Sequence, residues 1–271
     1  MKFWLLLLIC VSALNASATV STYNVELSLF GKVGEATITV AQEGGEYVMV
    51  VDDAATGLAA VISGNERGRF VSRGKVVDGI YISDSFEQYQ TNNSVVESNV
   101  FVFDHEQRSV TRVQDKNETI EQSRFNIQTM SVERYKTYKV TKKQTTLEHY
   151  TQHDPLSLSL SIPALLKDRE SVVIEPVALA KKERKMVVHR VSLQDLNETL
   201  DEFHSKMVTK VVGLDSYELE SGDEYGVYIG YDADGALEEV TTKQLYYVIG
   251  YGRIEKISSK EANATELLEL L

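Results

Sequence analysis

The stretch 23–51, YNVELSLFGKVGEATITVAQEGGEYVMVV, decides the fold class. Tyr23, Val25, Leu27 and Leu29 alternate with polar or small residues. Gly31 to Gly34 predicts a turn, after which Ala36, Ile38 and Val40 alternate again. Gly44-Gly45 punctuates, and Tyr47, Met49 and Val51 follow. Successive side chains of a strand point to opposite faces, so a period of two marks half-buried strands joined in a meander.

Working outward, strand-like runs recur at Phe70-Val71, Val76 to Ile82, Val100 to Phe103 and Ser109 to Val113. Others lie at Tyr135 to Val140, Met186 to Val191, Lys210 to Leu214, Tyr225 to Tyr231 and Leu245 to Ile257. The polar stretch Asp115 to Gln122 reads as a loop or hairpin end. Most of the 14 tyrosines sit inside the runs, as suits a pleated surface that is wet on one side.

Helical signals are few. Leu193, Leu196, Leu200, Phe203 and Met207 recur at helical steps and predict one amphipathic helix, which covers a sheet edge or makes a dimer contact. Asp154-Pro155 offers a cap and a first-turn proline, while Leu156, Leu158 and Leu160 alternate as a strand would. Ser258 to Leu271 reads as a short, frayed amphipathic helix. The expectation is an all-β chain with one or two short accessory helices: a signal over 1–18, one β domain over 19–258, and a tail over 259–271.

The first residues carry a compartment signal. Lys2 precedes an apolar run from Phe3 to Val11, and Ala16-Ser17-Ala18 offers a small-x-small cleavage site. This is the layout of a cleavable secretory signal, with cleavage expected after Ala18 and a periplasmic destination. The run is too short to anchor in a bilayer, and no later stretch predicts a transmembrane segment. Cys10 is the one cysteine, and Ile9 before it is not the small residue that lipidation needs. Cleavage after Ala18 leaves no thiol, which excludes disulfide scaffolds, thiol enzymes and cysteine-ligated metals.

The formal net charge of −12 argues against nucleic acid and anionic membrane surfaces as partners. Lys181, Lys182, Arg184 and Lys185, with Arg190 beyond, read as a solvated turn or strand end, or as a patch for an acidic partner or lipid headgroups.

Candidate chemistry is thin. His149 and His153 stand four apart beside Glu148 and Asp154, without the third ligand a zinc site requires. Asp232-Ala233-Asp234-Gly235 resembles part of a calcium loop, but suits a tight hairpin with glycine in the left-handed region. No serine sits in a glycine-flanked elbow. No catalytic residue, metal ligand or cofactor is therefore assigned. Four sites fit Asn-x-Ser/Thr: Asn92, Asn117, Asn197 and Asn263. Asp115, Asp195 and Glu261 stand two residues before the last three, the extended acceptor pattern of bacterial N-glycosylation. Acids are 40 of 271 residues, so three in four exceeds random placement. Asn117, Asn197 and Asn263 are the candidate modification sites.

Several landmarks in order carry a resemblance. They are Tyr23 to Leu27 with Phe30 to Ala36, Thr56-Gly57-Leu58, Phe70-Val71-Ser72-Arg73-Gly74 with Asp78-Gly79, and Phe103-Asp104. His153-Asp154-Pro155-Leu156-Ser157, and Tyr225 to Tyr231 turning at Asp232 to Gly235, complete the set. Together they resemble a bacterial exported family known as domain-of-unknown-function family 3108. The match spans about Tyr23 to Ile257 and loosens between Asp115 and Glu148. The resemblance implies an envelope location and a large curved antiparallel sheet, a β-roll or partly closed barrel, and implies no activity. Three functions are then expected. One is a non-enzymatic envelope protein that binds an apolar or lipid-like ligand in a concave sheet. The second is a periplasmic scaffold that contacts another envelope protein. The third is a hydrolase with an unrecognised site.

Overall fold

The computed structural model describes residues 17–126, 128, 130–177, 185–191, 203–216, 227–242 and 251–270. The opening alternation yields β1 (Ser17–Leu27), β2 (Gly31–Glu43) and β3 (Glu46–Ala55). The first turn falls at Ser28 to Phe30, just before the stretch that predicted it. Then come α1 (Gly57–Ser63), β4 (Arg67–Val77), β5 (Ile80–Thr91), β6 (Val95–Asp104), β7 (Ser109–Asn126) and β8 (Ser131–Thr146). The helix α2 (Pro155–Leu165) precedes β9 (Ser171–Ile174), β10 (Met186–Arg190) and β11 (Lys210–Ser216). The chain continues through β12 (Val227–Tyr231), β13 (Leu237–Thr242) and β14 (Gly252–Glu261) to α3 (Ala264–Leu270).

All the described strands form one antiparallel sheet in the order β8-β7-β6-β5-β4-β3-β2-β1-β14-β13-β12-β11-β10-β9. Successive strands pair except β8 and β9, and β1 also joins β14, with Thr19 opposite Glu261. The open edges are β8 and β9, which α2 connects along the chain. Leu158, Ile162 and Leu166 pack on Ile174, Val188, Val212 and Tyr231 of the β9–β12 half. Leu156 and Val177 pack on Phe86, Phe101, Phe103 and Val110 of the β5–β7 half. Both halves thus close on α2, and the curved sheet is an unclosed roll with a helix in its concavity. On the opposite face, α3 covers Ala18, Ala41, Val48, Val50 and Val71 through Leu267 and Leu268. Tyr47 and Val48 lie on different faces because neighbouring strand residues must.

Several expectations change. Asp115 to Gln122 is part of β7, not a loop. Its polarity reflects wet faces, and lysines of β8 answer its carboxylates in register. Val76 to Ile82 is split by a turn at Asp78-Gly79, where both residues have positive φ. Of the two readings open after Asp154, the helix is the one that forms, because Asp154 accepts from Leu156 N and Ser157 N and caps it. Ser258 extends β14, which runs to Glu261, so the terminal helix begins at Ala264. The amphipathic stripe from Leu193 lies mostly outside the described residues. Of its members, Phe203 is buried, whereas Met207 sits in a turn and is 64% exposed. No helix among the described residues is long and apolar enough to cross a membrane.

Candidate functional site

The densest polar cluster is buried between α2 and the sheet. Asp154 caps α2 with Oδ1, which accepts from Leu156 N at 2.7 Å and Ser157 N at 3.0 Å. Its Oδ2 accepts from Ser72 Oγ at 2.6 Å and from Ser83 Oγ. Asp154 N donates to Ser157 Oγ at 3.0 Å, which completes a capping box. Tyr47 and Ser72 share a hydroxyl hydrogen bond at 2.8 Å. Tyr81 N donates to Ser161 Oγ at 2.9 Å, and His153 Nδ1 lies 3.0 Å from the Tyr81 carbonyl oxygen. Two of the landmark segments, Phe70 to Gly74 and His153 to Ser157, therefore meet here. Burial raises the Asp154 carboxyl above its usual range, against the hydrogen bonds it accepts. Burial, with Asp154 beside it, raises the Tyr47 phenol. Asp154, Ser72, Ser83 and Ser157 are fully buried, so the cluster bolts the helix to the sheet and offers no reactive face to solvent.

A β-bulge makes this bolt possible. Arg73 pairs with Ser85 and Gly74 with Ser83, so Asp84 is the extra residue. A Cβ on Gly74 would overlap the Ile82 carbonyl oxygen. The Asp84 carboxylate lies 3.2 Å from His105 Nε2, and His105 Nδ1 lies 2.7 Å from the Tyr150 hydroxyl. Arg108 stands over the Tyr150 ring at 5.2 Å. Carboxylate, imidazole and phenol here join the β6–β7 turn to the segment entering α2.

A second bulge, between Gly230 and Tyr231, leaves Glu238 extra on β13. Glu238 and Glu239 then both serve the segment from His204. Glu239 is fully buried, accepts from His204 N and Ser205 N, and pairs with Arg253 Nε at 2.8 Å. Glu238 pairs with Lys256. Each carboxylate has a cation or backbone donors, the condition for burying a charge.

The exposed feature is the β7–β8 hairpin. β6 pairs with β7 only from Ser109 to Glu118. Beyond that, Thr119 N still donates to the Ser94 carbonyl at 2.7 Å. Among the described strands, the stretches Thr119 to Asn126 and Ser131 to Tyr138 have only each other as strand partners. These eight pairs form a two-stranded arm about 25 Å long at the usual rise per residue. β8 is exposed along its length except at Thr141. Ile120, Val132, Tyr135 and Tyr138 are exposed, Tyr138 at 77%. A lone two-stranded ribbon is marginal in water, so one that shows aromatic and β-branched residues to solvent is suited to contact.

The residues singled out in the sequence disperse. His149 and His153 lie in irregular chain, not on one helix face, and His153 faces Tyr81. No group able to hold a metal ion occurs among the described residues. Asp232 to Gly235 is the β12–β13 hairpin, in which Asp232 Oδ1 accepts from Asp234 N and Ala236 N and Gly235 has φ +88°. Asn117 is exposed on β7, Asn263 is exposed just before α3, and Asn197 lies outside the described residues. Asn92 is half-buried in the β5–β6 turn, where its Oδ1 accepts from Ser94 N and Val95 N. Lys181, Lys182 and Arg184 lie outside the described residues, Lys185 pairs with Glu175 at 3.5 Å, and Arg190 donates to the Leu166 carbonyl. Sequence reasoning missed the Asp154 bolt and the arm. The bolt left a trace in the capping pair Asp154 and Ser157, and the arm in the charged run of β8. Compared with known protein families, curated proteins and solved structures, the chain matches none.

Proposed function

We propose that this is a non-enzymatic, exported envelope protein that acts as an assembly partner, with the β7–β8 arm as its contact element. The observation that carries this reading is the arm itself, eight residue pairs that have no third strand among the described residues and show apolar side chains at the surface. The expectation of an apolar ligand in the concave face meets α2 instead, since Leu158, Ile162 and Leu166 pack there and a ligand would have to displace them. Export rests on the signal pattern of residues 1–18, and kinship with domain-of-unknown-function family 3108 rests on motif order.

The test replaces residues 120–137 by Asn-Gly, a pair suited to a two-residue hairpin between Thr119 and Tyr138. The variant keeps every core cluster, so its thermal unfolding should match the parent. Cross-linking in the native envelope should give a higher-mass complex with the parent and not with the variant. A complex that survives the shortening rules out the arm as the contact element. Native mass spectrometry of the parent from the same fraction checks the carrier alternative, which predicts a bound mass released on denaturation.

A further inference from the structure

We infer that the outer edge of β8 receives an extended, acidic segment of another protein as an added strand. This rests on the arm's role in contact and names the partner's chemistry. Among the described residues β8 ends the sheet order, so its outer row of backbone donors and acceptors meets no described strand. It is 16 residues long and holds an unbroken register with β7 from Thr111↔Thr146 to Asn126↔Ser131. It contains no proline, and no bulge turns it away. Edge strands that are protected from pairing are short, bulged or interrupted. The opposite edge, β9, has only four residues.

The charge of β8 sets the partner. The strand carries five cations (Arg134, Lys136, Lys139, Lys142, Lys143) against one carboxylate, Glu133, in a chain of net charge −12. Lysine alone can guard an edge. Here the lysines form a ladder. Lys142 stands opposite Asp115, Lys139 opposite Glu118 and Lys136 opposite Glu121, at 3.1, 3.6 and 4.0 Å. The acids of β7 therefore recur every third residue, in step with the lysines. The three lysine side chains remain 62–76% exposed. A strand with acids at that same spacing on the free side would repeat what β7 does on the bound side. Val132, Tyr138 and Val140, all more than 60% exposed, supply apolar contacts between the charges.

A second copy of β8 fits poorly. An antiparallel pair centred on Lys139 sets Lys136 opposite Lys142, and directly opposed like charges destabilise a sheet. Recognition by strand addition takes affinity from backbone hydrogen bonds and selectivity from side chains.

The experiment titrates the full chain with a capped, labelled peptide, TVETVETVETV, and follows fluorescence anisotropy. Saturable binding is expected, together with slowed hydrogen exchange of β8 amides. Replacing the three lysines by glutamine (K136Q/K139Q/K142Q) should weaken it about tenfold, because each pair is partly screened by water. The same peptide with lysine for glutamate, and one N-methylated at alternate residues, should not bind. Absence of binding by the acidic peptide overturns the inference, as does equal binding of the N-methylated form, which would show charge attraction without strand pairing. If the acidic peptide fails while shortening the arm abolishes the envelope complex, the contact role stands and only the partner class falls. If the complex survives shortening, the contact role itself falls.

Discussion

Asp154 and Gly74 are the two positions where a single atom decides whether α2 can dock. Asp154 accepts from two backbone amides of α2 and from two serines on the sheet. Asp154→Ala removes a helix cap and strands two buried hydroxyls, so it should cost about 3–5 kcal/mol of folding stability. Asp154→Asn keeps an acceptor for the cap and should cost less. Urea denaturation of both variants checks the order. Gly74 has no room for a Cβ against the Ile82 carbonyl, so Gly74→Ala must open the bulge. A loss of about 2–3 kcal/mol is expected, as for other overpacked sites. A melting temperature equal to the parent's would show that the bulge yields freely.

At the scale of elements, the entry to α2 is pH-sensitive. Burial holds the His153 imidazole below its ordinary 6.5, although the Tyr81 carbonyl and Asp154 pull the other way. The unfolded chain therefore takes up the proton first on acidification. The stability that neutral His153 contributes is full above about 6.5 and is lost as pH falls through the lower folded value. Unfolding free energy followed from pH 7.5 to pH 5 should fall more steeply for the parent than for His153→Gln. Parallel curves would remove His153 from the balance. The strand β7 shows a different element-scale effect. Its second half lacks alternation because neither face is dry, and a strand wet on both faces reads as loop. Asp115, Glu118 and Glu121 are plain in the sequence, but their lysine partners lie 15 to 27 residues along and become partners only in register.

The whole molecule depends on a joint between its two ends. β1 bridges the β2–β8 and β9–β14 halves by pairing with β14, and α3 packs on Ala18. Ser17 and Ala18 already belong to β1, and Ala18 is buried with its carbonyl accepting from Ala262 N. Cleavage after Ala18 would therefore shorten β1 by two residues, so its expected cost is small and local to the α3 contact. If the chain is exported as its first residues suggest, intact-mass measurement and N-terminal sequencing of the protein from its own host should give Thr19 as the first residue. A first residue beyond Tyr23 would remove at least five of the nine β1–β14 pairs and contradict the fold. The same mass spectra test the sequons. Mass added at Asn263, exposed beside α3, is expected, and an unmodified Asn117, Asn197 and Asn263 in a host that glycosylates its exported proteins would reject the acceptor reading.

By itself the sequence determined the class of the fold. Residues 23–51 alternate, glycines and Asp232 to Gly235 punctuate, and Asp154-Pro155 offers a helix start beside a strand-like alternation, because these signals arise from dihedral preferences and from one wet face per strand. They act over a few residues and need no distant partner. Only the tertiary structure decided that β1 meets β14, that α2 packs in the concavity, and that β8 ends the sheet among the described residues. Those outcomes depend on which surfaces the curled sheet brings together: Ser72 and Ser83 become partners of Asp154 only when the bulged β4–β5 pair turns them toward α2. Contacts between residues 71 to 214 positions apart leave no periodicity along the chain, and without that periodicity a buried bolt and a polar loop read alike.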